Sequence, residues 1–363
     1  MTYPDNKKNN AFIIAEAGVN HNGDYSLAKK LIDAAVRSNV DAIKFQTFKV
    51  DNLVAESAPK ATYQKMLTPE NESQKQMLKA LEIPFSLQLK LHEYAKTKGI
   101  LFLSTPFDAE SLEFLLNDIK LKTLKIGSGD LTNGPLLLSA ARSGSDIILS
   151  TGMASLAEIE DALALIAFGF VADKDTIPNK KSFYQAYVSS SGQSCLQNKV
   201  SLLHCTSEYP CPYDEINLRV IKTLKKSFGL KVGYSDHSQG IHVCLAAVAM
   251  GAQIIEKHFT LDRNMEGPDH RSSIEPHELK LLAEQIRNIE DSVGYGVKIP
   301  QPSEFGNRIV SRKSLIVEKE TKKGELLQLS SLRAGDGLSP MQYWEYNNTI
   351  AKRNYKKGEL FDG

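Results

Sequence analysis

Lys44, Lys125, His237 and His258 each stand at the close of a short apolar run, where a strand hands a polar side chain to the space beyond its carboxyl end. Two lysine ammonium groups, the hydroxyls of Thr105 and Ser128, and the turn Gly127-Ser128-Gly129-Asp130 are what a phosphate or phosphate–carboxylate ligand needs. A lone glycine–serine–glycine turn is an ordinary loop; with two lysines facing it, an anion site is favoured. His237 and His258 end neighbouring runs, and adjacent strands lie roughly 5 Å apart, so two imidazoles can share one cation. A single buried histidine is more often a hydrogen-bonded core group. The adjacent pair reads instead as metal ligands. No thiolate stands beside them, so the ion keeps positions for water and substrate oxygens, which suits Mn²⁺ or Mg²⁺ more than closed Zn²⁺. His204 and His21 are held in reserve as further ligands.

The elements that position these groups follow from hydrophobic periodicity. Runs rich in Val, Ile, Leu and Phe alternate with longer segments of helical period, the pattern of βα units around a buried parallel sheet. The strands expected are Phe12–Ala15, Ala42–Phe45, Leu101–Ser104, Thr123–Ile126, Ile147–Ser150, Ser201–His204, Lys231–Tyr234 and Gln253–Glu256. Eight such units close a (β/α)8 TIM barrel, an α/β fold whose active site lies at the carboxyl ends of its strands. Every end here is polar: Glu16 and His21 after the first, Lys44 and Gln46 after the second, Thr105 after the third, Lys125 and Ser128 to Asp130 after the fourth. Ser150 to Gly152 follow the fifth, His204 to Ser207 the sixth, Ser235 to His237 the seventh and Glu256 to His258 the eighth. Any one of these taken alone is a helix cap or a buried pair; their recurrence at all eight strands argues for catalysis.

Helix starts are marked by Ser26, by Asp108 and by Ser155 with Glu158 at capping-box distance. Two stretches break the rhythm. Phe48 to Pro84 contains an expected helix, Glu72–Leu81, placed over the barrel mouth; Val171 to Lys199 reads as a polar surface excursion with no assigned role. The segment 295–310 is rich in glycine and proline and reads as a linker from the barrel, 1–294, to a small module, 311–363. In that module KKGELL at Lys322 is echoed by KKGELF at Lys356, which suggests two related halves of strand and turn.

Bulk properties narrow the partners. Lysine plus arginine number 44 against 43 aspartate plus glutamate, so no global field draws the chain to nucleic acid or an anionic membrane. The cluster Lys352, Arg353, Lys356 and Lys357 is read as a solvated terminal face. Four cysteines without a CxxC pair fit a reducing compartment. With no apolar signal core and no stretch long enough to span a bilayer, the expected location is cytoplasmic.

The segments IIAEAGVNHNGD, KFQTF, STPFD, KIGSGD, LSTGM, LLHCTSEYP, GYSDHS and EKHFTLDRNMEGPDH together resemble the sialic acid synthases over nearly the whole chain. The C-terminal module, with RAGDGLSP at Arg333, is similar to the antifreeze-like (SAF) domain of those enzymes. The resemblance implies condensation of phosphoenolpyruvate with an N-acetylated mannose-type sugar, N-acetylmannosamine first and 2,4-diacetamido-2,4,6-trideoxymannose as the alternative. It implies His237 and His258 as metal ligands, and Lys44, Thr105, Lys125, Ser128, Ser207 and Ser235 around phosphoenolpyruvate. Glu16, Gln46, Asp130, Tyr209 and Asp269 are implied around the sugar, with Glu16, Lys44, Lys125 and Asp130 catalytic. Arg333 is implied to reach the acetamido group of the sugar held by the other subunit of a domain-swapped homodimer. Two other classes compete: a Schiff-base aldolase using Lys44 or Lys125, and a carbohydrate- or ice-binding protein using the C-terminal module.

Overall fold

The computed structural model describes residues 10–56, 58–59 and 73–363. All eight expected strands form, most of them one to three residues longer than the apolar runs alone mark: β1 (Phe12–Gly18), β2 (Ala42–Thr47), β3 (Leu101–Pro106), β4 (Thr123–Ile126), β5 (Asp146–Ser150), β6 (Val200–His204), β7 (Lys231–Asp236) and β8 (Ile254–His258). Many of the added residues are polar, among them Glu16, Gln46, Thr105, Ser235 and His258, which a search for apolar runs passes over. The strands pair in parallel in the order β3-β2-β1-β8-β7-β6-β5-β4, and β3 lies beside β4, so the sheet curls into a near-closed barrel with helices around it.

Side-chain alternation divides each strand between two environments. On β1, Ile13, Ala15 and Ala17 pack outward into the main core under the helices, while Ile14 turns into the barrel. Ile14, Ala42, Leu103, Ile148, Leu203 and Ile254 together fill the barrel interior. Gly233 leaves them room, because a Cβ there would stand 2.6 Å from both Leu203 Cδ2 and Ile254 Cβ. Two residues along each strand, on the same face, come Glu16, Lys44, Thr105, Ser150, Cys205 and Glu256. The apolar plug is thus roofed by a polar layer.

The helices around the barrel begin where side chains accept the first free N–H groups. Asp108 caps Ala109–Asn117, and Ser155 with Glu158 forms a capping box at Leu156–Val171. The first helix is Tyr25–Arg37, capped by Asp24 rather than Ser26, since Asp24 Oδ1 accepts from Leu27 N at 3.0 Å. Glu72 lies outside the described residues; the helix expected there runs Gln74–Leu81 behind a Ser73–Gln76 capping box. The excursion from Val171 to Lys199 holds two helices, Lys180–Val188 and Ser190–Lys199, where a polar surface excursion was expected. Each starts at a side-chain cap, Asn179 and Ser189, and the first packs on Leu156–Val171 through Phe183 against Phe168. Low helical propensity is overridden here by capping and by an apolar neighbour. Among the described residues no helix is long and apolar enough to cross a membrane.

The chain divides after Gly294 into two compact units. The segment 295–310, read as an irregular linker, contains a 3₁₀ turn, Pro302–Glu304, and most of a helix, Phe305–Ser311; Glu304 Oε2 accepts from Gln301 N at 2.7 Å to start them. Beyond it β9 (Ser314–Val317) pairs antiparallel with β10 (Leu329–Leu332). The echoed segments make the same turn. Lys322 N donates to Glu325 Oε2 at 2.8 Å and Lys356 N to Glu359 Oε2 at 2.7 Å, with Gly324 and Gly358 at φ +92° and +78°. The preceding residues, Thr321 and Tyr355, bridge each other antiparallel, so the two halves face one another around a core of Leu315, Val317, Leu327, Leu329, Ala351, Tyr355 and Phe361.

Candidate active site

A cavity of about 560 Å³ opens at the carboxyl ends of the barrel strands, lined by the polar layer and by a second, apolar wall. A larger surface hollow, about 930 Å³, lies at the amino ends of β4 and β5 and is lined by none of the residues singled out above. Strand register sets the polar layer. Glu16 sits opposite Lys44 on β2 and opposite His258 on β8, and Ser235 on β7 sits opposite Glu256. Side chains two apart on one strand share a face, so Glu256 accompanies His258 into the cavity and Ser235 accompanies His237.

The two lysines and two glutamates interlock. Lys44 Nζ lies 2.8 Å from Glu16 Oε2, 3.7 Å from Glu256 Oε2, and donates to Thr105 Oγ1 at 3.1 Å. Lys125 Nζ lies 3.2 Å from Glu256 Oε1, which also accepts from Ser235 Oγ at 2.7 Å. All four charged groups are buried, and their protonation equilibria separate. Burial pushes Glu16 up to about 7 against the pull of Lys44. For Glu256 the burial penalty is overcome by Lys125 and Lys44, which hold it below the usual carboxylate range. Burial lowers Lys125, only partly opposed by Glu256; Lys44 is desolvated too, yet Glu16 and Glu256 raise it above the ordinary ammonium value. Paired carboxylates pushed in opposite directions are the signature of divided acid–base roles.

Two further groupings mark the ends of the cavity. At one, Ser128 Oγ accepts from Gly152 N at 3.0 Å and lies 3.2 Å from Cys205 Sγ. A Cβ on Gly152 would stand 2.4 Å from Ser207 Oγ and 2.9 Å from Ser128 Oγ, so glycine is required for these hydroxyls to converge. At the other, Glu16 Oε1, Gln46 Nε2 and Asp269 Oδ2 gather over Gly18, within 3.6 Å of the position a Cβ would take. Gly18 follows a register shift in β1 and has φ +53°, a conformation that glycine adopts without strain. Burial lifts Asp269 to about 6, with Lys44 opposing.

The two histidines lie close together at the cavity. Their ring centroids are 5.6 Å apart, and the Tyr209 ring lies against both. His237 Nδ1 donates to the Thr206 carbonyl at 2.6 Å, which fixes the proton on that nitrogen and leaves Nε2 with its lone pair. His258 Nδ1 is buried without a hydrogen-bond partner. Burial holds His237 down at about 4 and His258 well below the ordinary imidazole value, so both rings are neutral, as metal ligands must be. Among the described residues no group of three or more His, Cys, Asp or Glu is arranged to hold an ion. With a ring nitrogen of each histidine left for a ligand, the pair fits two-imidazole coordination of a cation whose remaining positions other groups would have to fill.

Behind the histidines the intervening side chains point away from the cavity. Asp236 and Lys257 are opposite in register and fully buried, with Lys257 Nζ 2.9 Å from Asp236 Oδ2 and also donating to the Ser238 carbonyl. Ser238 N, Tyr234 Oη and Cys244 Sγ donate to the same carboxylate at 2.9, 3.1 and 3.1 Å. This network ties the ends of β7 and β8 together at the residues that precede the two rings.

Of the residues picked from sequence, Glu16, Lys44, Gln46, Thr105, Lys125, Ser128, Ser207, Tyr209, Ser235, His237, His258 and Asp269 all line the one cavity. Asp130 does not; its Oδ1 accepts from Asn133 Nδ2 at 2.9 Å beside the start of helix Gly134–Arg142. Arg333 belongs to the second unit and is exposed. His204 Nε2 donates to the Ile216 carbonyl at 2.6 Å and His21 Nδ1 accepts from Gly23 N at 3.0 Å, and neither ring lines the cavity that holds the histidine pair. Glu256, named from sequence only among the polar strand ends and given no role, also lines the cavity, as its place two before His258 on one strand face allows.

The chain is 48% identical over 351 residues to the N,N'-diacetyllegionaminic acid synthase of Campylobacter jejuni, covering 96% of this chain and 98% of that one. It is 44% identical to the enzyme of the same name from Legionella pneumophila, covering 94% and 90%. The crystal structure of N-acetylneuraminic acid synthetase from Leptospira borgpetersenii superposes with a TM-score of 0.66 at 37% identity, covering 85% of this chain and 94% of that one. The NeuB family model matches residues 31–298. With this match, and with relatives aligned over nearly its full length, the chain belongs to the NeuB family, the sialic acid synthase-like enzymes.

Proposed function

We propose that the chain condenses phosphoenolpyruvate with the open-chain form of 2,4-diacetamido-2,4,6-trideoxymannose and water, releasing phosphate and N,N'-diacetyllegionaminate. The observation that carries the reaction type is the convergence of two lysines, two buried imidazoles and two carboxyl groups shifted in opposite directions in one cavity. The choice of acceptor rests on the two relatives of that name at 48% and 44% identity. It displaces N-acetylmannosamine, which came first on sequence alone.

In this reading Lys125, Lys44, Thr105, Ser128, Ser207 and Ser235 bind the phosphate and carboxylate of phosphoenolpyruvate. Gln46, Tyr209, Asp269 and Glu16 hold the sugar so that its C1 aldehyde faces the enol carbon, C3. His237 and His258 would hold a Mn²⁺ or Mg²⁺ ion, which would supply Lewis-acid polarisation of a carbonyl oxygen. The C3–C1 bond forms with the electron pair of the enol, leaving positive charge at C2, as the aldehyde C=O π pair moves onto oxygen, which ends as a hydroxyl by taking the proton given up by the adding water. Glu16, balanced near neutrality, takes a proton from the water that adds at C2. The C2–O bond to phosphate then breaks as the new C2 hydroxyl becomes the keto group and gives its proton to the departing phosphate, whose charge Lys44 and Lys125 take up. A Schiff base at Lys44 is disfavoured because its carboxylate neighbours keep the ammonium charged.

The same proposal covers the small unit and the assembly. Its mirrored turns and compact core support an antiparallel module of the antifreeze-like kind over 311–363. The exposed Arg333 is assigned to the acetamido group of a sugar bound by a second copy in a domain-swapped homodimer, with the enzyme working in the cytoplasm. The test uses purified protein with phosphoenolpyruvate, Mn²⁺ and each acceptor in turn, scored by phosphate release and product mass. Phosphate release with the diacetamido sugar and a product of legionaminate mass is expected. No release with any acceptor overturns the proposal, and reduction by borohydride with pyruvate that leaves an adduct on Lys125 favours an aldolase.

A further inference from the structure

The cavity has a wall that the condensation itself does not use. Helix Gln74–Leu81 turns Gln74, Met77, Leu78 and Leu81 toward it, at the spacing of one helical face. Beside them stand Phe48 and Leu53, the latter from the single turn Val50–Leu53. Leu81, Phe48, Val50 and Val19 form a small core of their own, with Leu53, Leu78 and Phe107 packed on it. Leu53 and Leu78 are only half-buried and keep apolar surface toward the cavity. Both line the same cavity of about 560 Å³ as Gln46 and Glu16, so a sugar held there by those polar groups shares the cavity with this wall.

We infer that this wall selects the acceptor, with Leu53 and Leu78 seating the apolar substituents, the C6 methyl and the methyl of the C4 acetamido group, of a 6-deoxy diacetamido sugar. The two acceptor classes are alike at C1 and at the C2 acetamido group and differ at C4 and C6. A sugar bearing hydroxyls at both places sets them against leucine, where they lose water and gain no hydrogen-bond partner. A methyl at the same place removes apolar surface from water on both sides. Gln74, the polar member of that helix face, offers a carboxamide of the type that pairs with an acetamido N–H or carbonyl.

The inference rests on the reaction proposed above, and its test separates the two. Wild-type protein, Leu78→Gln and Leu53→Asn are compared in kcat/KM for 2,4-diacetamido-2,4,6-trideoxymannose and for N-acetylmannosamine, with KM for phosphoenolpyruvate measured alongside. The wild type is expected to prefer the diacetamido sugar. Each variant is expected to shrink that preference by a factor of roughly 10 or more, the scale on which one apolar group discriminates. Equal proportional loss on both acceptors in both variants, with the wild type active, overturns the inference and leaves the reaction standing. A wild type that turns over N-acetylmannosamine better overturns the selectivity assigned to the wall, and a wild type inert toward both sugars overturns the reaction as well. The two leucines sit on separate elements, so one variant that misfolds still leaves the other to decide.

Discussion

The two walls of the cavity are built on opposite principles. The catalytic wall is made of strand ends whose ladders set each side chain by register: Glu16 opposite Lys44 and His258, Ser235 opposite Glu256. The apolar wall comes from the segment between β2 and β3, where the turn Val50–Leu53 and the helix Gln74–Leu81 pack on a satellite core outside the main one. A strand residue cannot move without disturbing the sheet, whereas a residue on a short helix can be exchanged at little cost to the barrel. Reaction chemistry thus resides where position is held most tightly, and recognition of the acceptor where substitution is cheapest.

That contrast is broken most severely at the histidines. His237→Ala is expected to lower kcat by roughly 1000-fold or more, with bound Mn²⁺ lost by metal analysis and the far-ultraviolet circular dichroism unchanged. Retained activity with retained metal sinks the assignment of the ligands. Next in size, Lys257→Met tests whether the catalytic wall is held from behind. It strands a buried Asp236 carboxylate and is expected to cost about 3–5 kcal/mol in denaturant unfolding, with much of that recovered when Asp236 is also replaced by Asn. An unchanged midpoint denies the network its role.

Gly152→Ala sharpens the comparison within the polar end. Its Cβ would crowd Ser207 Oγ and Ser128 Oγ, and KM for phosphoenolpyruvate is expected to rise roughly 10- to 100-fold while that for the sugar changes less. Equal change in both would mean the hydroxyl cluster does not belong to phosphoenolpyruvate. The smallest effect is in the pH profile. Burial pushes Glu16 up to about 7, and the proposed reaction uses it as a carboxylate, so kcat/KM should rise as pH passes upward through about 7. In Glu16→Gln that inflection should vanish from a lowered rate; its persistence would assign the titration to another group.

Much of this architecture was legible in the sequence because a barrel strand writes its environment in a period of two. Ile14 then Glu16, Ala42 then Lys44, and Leu103 then Thr105 each report an interior layer followed by a polar one. Capping residues spoke as plainly at Asp108 and Ser155, and the repeated KKGE segments foretold two matching turns. The two helices of 180–199 were not legible, since their serine- and glutamine-rich sequence is poor in periodicity and depends on caps and on Phe168 for support.

What the sequence determined by itself, then, was which residues face the barrel mouth, because alternation along a strand is a local property. Only the tertiary structure decided what those residues do to one another. It brought Glu256 between both lysines, shifted the acidities of two glutamates in opposite directions, joined Asp236 to Lys257 behind the histidines, and turned Asp130 toward Asn133. Those outcomes depend on distances across neighbouring strands and on the loss of water around buried charges. Neither quantity is carried by residue order along a single strand.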